Sequence, residues 1–196
     1  MFTPPEKTYP GYIFDCDGTL ADSMPLHLKA WNHGLRAAGA PIQIDGKGFM
    51  SVAGMALQQT INHWNRTHSI QINAEIAIRE KNAYYASHVD AIKPIPEVVT
   101  FLHCCKAAGT AVSVASGGGR RDVMETLNRI GLEGVIPVVV TADDVEYAKP
   151  APDLFLLAAK RMGIPPEACL VIEDSLLGIE AADIACMDSV LVPHNL

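Results

Sequence analysis

The chain has 196 residues, 49% of them hydrophobic and 19% charged, with a net charge of −7. This composition supports one sizeable core with room for a smaller second unit, and it argues against disorder. The acidic balance argues against general nucleic-acid binding, which needs clustered Lys and Arg, and obliges an anionic ligand to find a local cation or a metal.

The first predicted element is GYIF (Gly11–Phe14), a short apolar run after Pro10 that reads as a buried strand. Ser23 is placed to cap a helix with Pro25 in its first turn, running to Gly39. PIQIDGKGF reads as a connector. VAGMALQQTINHW reads as one helix, with Ala53, Leu57, Ile61 and Trp64 at helical spacing, and AEIAIREKNAYYASHV as another. From residue 23 to about 91 only helices are expected.

The character changes after KPIPE. EVVTFLHCCKAAG reads as a helix, TAVSVAS as a strand ending in GGG, and RRDVMETLNRIG as a helix. VIPVVVT is a strand broken by Pro137, and APDLFLLAAKRMG a helix. ACLVIEDS, LLGIEAADIA and SVLVP complete the series as strand, helix and strand. This alternation predicts an α/β fold, a doubly wound and mostly parallel sheet. The helical block interrupts it directly after the first strand and reads as an inserted cap. The expected division is a core of residues 1–22 plus 92–196 and a cap of residues 23–91.

Cys16, Cys104, Cys105, Cys169 and Cys186 are odd in number and form no CxxC pair. They read as buried, reduced thiols, which suits the cytoplasm. No secretory leader and no apolar run near the roughly 18 residues of a membrane helix are visible, so no membrane association is expected.

Ligands of open α/β sheets bind at the carboxyl ends of strands. Four polar sets lie there: Asp15 and Asp17 after YIF, Ser116 and Gly117 after AVSVA, Lys149 in the loop after VVVT, and Glu173 with Asp174 after CLVI. Acids, a hydroxyl, a flexible backbone and one cation suit phosphoryl transfer. Asp15 and Asp174 could hold Mg²⁺, which prefers carboxylate oxygens. Asp15, with an ordinary pKa of about 3.9, would be ionised without help and could attack phosphorus. Ser116 and nearby backbone N–H groups could bind phosphate oxygens, Lys149 balance charge, and Asp17 serve as acid and base.

DCDGTLADS, VASGG, AKPAPDLF and VIEDSLLGIEAA together resemble the haloacid dehalogenase superfamily. In particular they resemble its sugar-phosphate phosphatase and β-phosphoglucomutase branch, over nearly the whole chain. The resemblance implies Asp15 as nucleophile and Asp17 as general acid/base. It implies Mg²⁺ held by the Asp15 carboxylate, the Asp17 carbonyl and Asp174 with Glu173 nearby, and phosphate held by Ser116 and Lys149. Ala148 and Cys186 stand where relatives often carry Gly. In the family a histidine at the place of His27 faces the aspartates, although His27 could instead pack on Trp31. Lys81 and Asn82 resemble cap positions that reach substrate, although a solvated helix face would explain them too. A pKa raised by cap closure would account for a proton on Asp17.

Phosphatase and mutase share an aspartyl-phosphate and differ in its acceptor. The cap stretch SVAGMALQQ lacks the arginine that mutases use, which favours a hydrolase, although Arg120 or Arg121 could compensate. The compact C-terminus resembles phosphatases of fructose-1-phosphate and 6-phosphogluconate. A signalling receiver domain would carry its phospho-acceptor later in the chain, and a non-catalytic binding module would not fill every chemical position. The expectation is therefore a Mg²⁺-dependent sugar-phosphate phosphatase, monomeric, with a small molecule as its partner.

Overall fold

In a computed structural model, residues 2–193 are described. Strand β1 (Gly11–Phe14) is followed by four helices: α1 (Met24–Ala37), α2 (Gly46–Met50), α3 (Leu57–His68) and α4 (Ala74–Ala86). Then come α5 (Pro96–Ala107), β2 (Ala111–Ala115), α6 (Arg120–Arg129), β3 (Val138–Val140) and α7 (Asp153–Met162). The series closes with β4 (Cys169–Glu173), α8 (Leu176–Ile184) and β5 (Asp188–Leu191). The five strands form one parallel sheet in the order β3-β2-β1-β4-β5. The order reverses beside β1, so β1 lies at the switch point where such sheets open a crevice.

Both faces of the sheet are buried, as its continuous apolar strands require. Successive side chains alternate between faces. Tyr12 and Phe14 point into a core with Val98, Leu102 and Leu127, whereas Ile13 points into a second core with Leu154, Phe155 and Ala181. The helical block has a third buried cluster, in which Trp31 meets Trp64 edge-on at 5.0 Å. Gly34 brings α1 against α4, because a Cβ there would collide with the Ala77 carbonyl.

Several local expectations are corrected. VAGMALQQTINHW is not one helix: α3 starts only at Leu57, because Gly54 sits at φ +91°, which turns the chain before it. The stretch read as a connector contains α2, capped by Asp45 accepting from Gly48 N–H at 2.8 Å. Ser23 makes no side-chain cap for α1; its hydroxyl is used elsewhere. Cys16, Cys105 and Cys169 are buried as expected, but Cys104 and Cys186 are exposed. Among the described residues, no helix is long and apolar enough to cross a membrane.

Candidate active site

The strand ends converge. Asp15 leaves β1 with its N–H donating to Ile172 C=O at 2.9 Å, which ties the loop to β4. Lys149, between β3 and α7, is 1% exposed. Its Nζ lies 2.6 Å from Asp15 Oδ1, 3.2 Å from Glu173 Oε2 and 3.5 Å from the Ala115 carbonyl. Burial pushes this ammonium down, but Asp15 and Glu173 outweigh burial and hold it above the ordinary lysine value, so it stays charged.

The Asp15 carboxyl is harder to ionise than an isolated one. Burial and the Glu173 carboxylate push it well above the carboxylate range, against the pull of Lys149. Glu173 is raised by burial too, with Lys149 opposing and Asp174 adding to the rise. The Ser175 hydroxyl donates to Glu173 Oε1 and accepts from Gly178 N–H at 3.0 Å, which caps α8. Gly178 has no side chain because a Cβ there would collide with the Glu173 carboxylate. Asp15, Glu173 and Asp174, all buried, each offer an oxygen within 4.8 Å of the others. Three buried carboxylates against one ammonium form an all-oxygen set short of positive charge, which fits a hard divalent cation.

Asp17 faces the same cavity. Ser23 Oγ donates to its Oδ1 at 2.6 Å, and His27 Nε2 lies 3.2 Å from the same oxygen. Burial pushes Asp17 up, but His27 and Ser23 outweigh it and hold the pKa at about 2. The His27 ring stacks on Tyr85, with centroids 4.3 Å apart and planes at 17°, rather than packing on Trp31. On the loop after β2, Ser116 N–H donates to Val140 C=O, and its Oγ accepts from Gly118 N–H at 3.1 Å. The glycines bring backbone close to the acids: a Cβ on Gly118 would stand 3.8 Å from Asp17 Oδ2.

One cavity of about 420 Å³ connects these groups. All ten predicted residues line it: Asp15, Asp17, Ser116, Gly117, Lys149, Glu173 and Asp174 from the sheet side, His27, Lys81 and Asn82 from the helical block. Lys81 is buried rather than on a solvated face, with its ammonium 5.2 Å from the centre of the Tyr85 ring and 5.8 Å from that of Trp31; Asn82 is exposed at the cavity edge. Gly54 crosses from the block to the sheet: a Cβ there would sit 3.2 Å from Ser175 Oγ and 3.7 Å from Lys149 Cδ. Arg120 and Arg121 do not line the cavity. Arg120 spends its guanidinium on Asp144 at 2.7 Å and Val139 C=O at 3.3 Å.

Sequence reading did not assign Ser23, Gly118, Ser175, Tyr85, Asp122 or Asp143 to the site. Ser175 stood in the quoted VIEDS motif and Ser23 in DCDGTLADS, so their spacing from the acids was a usable signal. Tyr85, Asp122 and Asp143 carried none, since each enters through packing of a distant element.

A family model described as haloacid dehalogenase-like hydrolase matches residues 12–192. The fructose-1-phosphate phosphatase YqaB of Escherichia coli (strain K12) is 35% identical over 187 residues, covering 94% of this chain and 96% of its own. A hydrolase structure from Pseudomonas syringae superposes with a TM-score of 0.85 at 30% identity, over 92% of this chain and 83% of that one. A β-phosphoglucomutase structure from Clostridium difficile gives 0.83 at 27% identity, over 95% and 86%.

Proposed function

Because this chain belongs to the haloacid dehalogenase-like hydrolases, we propose that it is a Mg²⁺-dependent phosphatase of small sugar phosphates, of the fructose-1-phosphate or 6-phosphogluconate type. The observation that carries this reading is the meeting of Asp15, Asp17, Lys149 and Asp174 in one cavity, from two separate strand ends and one loop. The relative named a fructose-1-phosphate phosphatase supports the substrate class.

The Asp15 and Asp174 carboxylates and the Asp17 carbonyl, with Glu173 nearby, would hold Mg²⁺. When bound, the ion supplies positive charge that lets anionic Asp15 and an anionic ester approach. Lys149 Nζ and the backbone after Ser116 bind phosphate oxygens. An Asp15 carboxylate oxygen bonds to phosphorus as the bond from phosphorus to the sugar oxygen breaks. The Asp17 carboxyl gives the departing oxygen a proton, then takes one from the water that displaces phosphate from Asp15. Ser23 and His27 hold Asp17 as an acceptor, the form the second half needs. For the first half Asp17 must carry a proton, and it regains that proton from the attacking water at the end of each turnover. The helical block of residues 23–91 acts as a cap, with Gly54 pressed against the phosphate end.

The enzyme is read as a cytoplasmic monomer, a reading supported by one chain carrying every named group and by its five thiols. The test is phosphate release from fructose-1-phosphate by wild type and Asp15→Asn, with Mg²⁺ and with EDTA. Release only by wild type with Mg²⁺ is expected. Activity surviving either the chelator or the substitution would overturn the mechanism.

A further inference from the structure

The cavity has two ends of opposite character. Its inner end holds Lys149 and the strand-end acids. The helical block lines the cavity with buried Met24, Trp31, Phe49, Val52 and Lys81, and its exposed polar lining, the outer end, is Asn82, Asp122 and Asp143. Asp122 and Asp143 are both exposed.

The rim places that could receive an anion are taken by the protein itself. α6, ten residues long, would offer backbone N–H groups at its first turn, but the Arg120 N–H already donates to Asp143 Oδ2 at 2.8 Å. The Arg120 guanidinium is engaged by Asp144. That leaves buried Lys81 as the cationic side chain facing the outer end; burial works against its charge, and the charge is shared between Asp17 and Asp122.

We propose that the outer end selects monophosphates: it accepts a neutral polyol and rejects a second phosphate, with Asp122 and Asp143 as the discriminating residues. This rests on the phosphatase reading above. A carboxylate offers acceptors only, and so does a phosphate dianion. A sugar hydroxyl can donate to Asp122 or Asp143, whereas a second phosphate meets two like charges and one shared ammonium. Like-charge juxtaposition is an efficient means of rejecting the wrong partner. The same feature separates this chain from mutase chemistry, which must hold a bisphosphate.

The experiment compares kcat/KM for two matched pairs, fructose-1-phosphate with fructose-1,6-bisphosphate and glucose-1-phosphate with glucose-1,6-bisphosphate. The wild type should favour each monophosphate by roughly tenfold or more, and less so at high salt. Asp122→Asn with Asp143→Asn should shrink the preference, and Asp122→Arg should shrink it further. Equal kcat/KM within the pairs, or a preference that these substitutions and salt leave unchanged, would overturn the inference while the phosphatase reading stands. No phosphate release from any of the four compounds would overturn both.

Discussion

Replacing Lys149 with Met tests the electrostatics of the site without reference to turnover. The side chain is 1% exposed and pairs with Asp15 and Glu173 at 2.6 and 3.2 Å. Met fills similar volume, so the main loss is charge. Breaking one partner out of a buried ion network costs about 3–5 kcal/mol, because the remaining carboxylates stay buried without compensation. For a chain of this size, each kcal/mol moves the melting temperature by about 2–4 °C, so Lys149→Met should melt roughly 6–20 °C lower at pH 7.5 in EDTA.

The loss should depend on pH, with a definite sign. Asp15 and Glu173 already have folded pKa values above their unfolded ones, and losing Lys149 raises them further. Groups raised on folding contribute their stability below the unfolded value of about 4, and the contribution disappears as pH rises through the folded value. The deficit against wild type should therefore be smallest near pH 4–5 and widen towards pH 8. Asp15→Asn in the Lys149→Met background should recover part of it, because one buried charge disappears. The measurement is thermal unfolding followed by circular dichroism across that range. A deficit below about 2 °C at pH 7.5, or one that is flat with pH, would refute the reasoning.

Gly54→Leu should raise KM for a sugar phosphate by roughly tenfold or more, because its side chain would grow towards Ser175 and Lys149. It should also cost about 1–2 kcal/mol of stability, since Gly54 is held at φ +91°. An unchanged KM would show that the loop does not close on the phosphate end. Away from the site, Asp144 accepts from Arg120, Arg161 and Thr141, and these donors outweigh burial to hold its carboxyl well below the usual range. A depressed carboxyl stabilises the fold above its unfolded value of about 3.9 and loses that contribution as pH falls below it. Asp144→Asn should therefore cost about 1 kcal/mol at neutral pH and show a shallower acid decline, read by urea titration at pH 7 and pH 3. An identical pH slope in both proteins would count against it.

The order of elements and the chemistry of the strand ends could be read from the residues alone. A parallel sheet buries both faces, so its strands must be short, continuous apolar runs, and polar residues directly after them stand out. Asp15, Ser116 and Glu173 were legible for that reason, Lys149 as the cation of the loop after VVVT, and the helical block because no such run occurs within it. What depends on distant segments meeting was settled by folding. Ser23 has the residue type and position of a helix cap, yet folding places its hydroxyl 2.6 Å from Asp17 instead. Lys81 has the spacing of a solvated helix face, yet it is buried beside Trp31 and Tyr85. Asp143 occupies the first turn of α6 from another loop, 23 residues away along the chain. Local pattern reports a residue's own element and face. It carries no information about which other element will be packed against that face, and that is where the charge balance of this cavity is set.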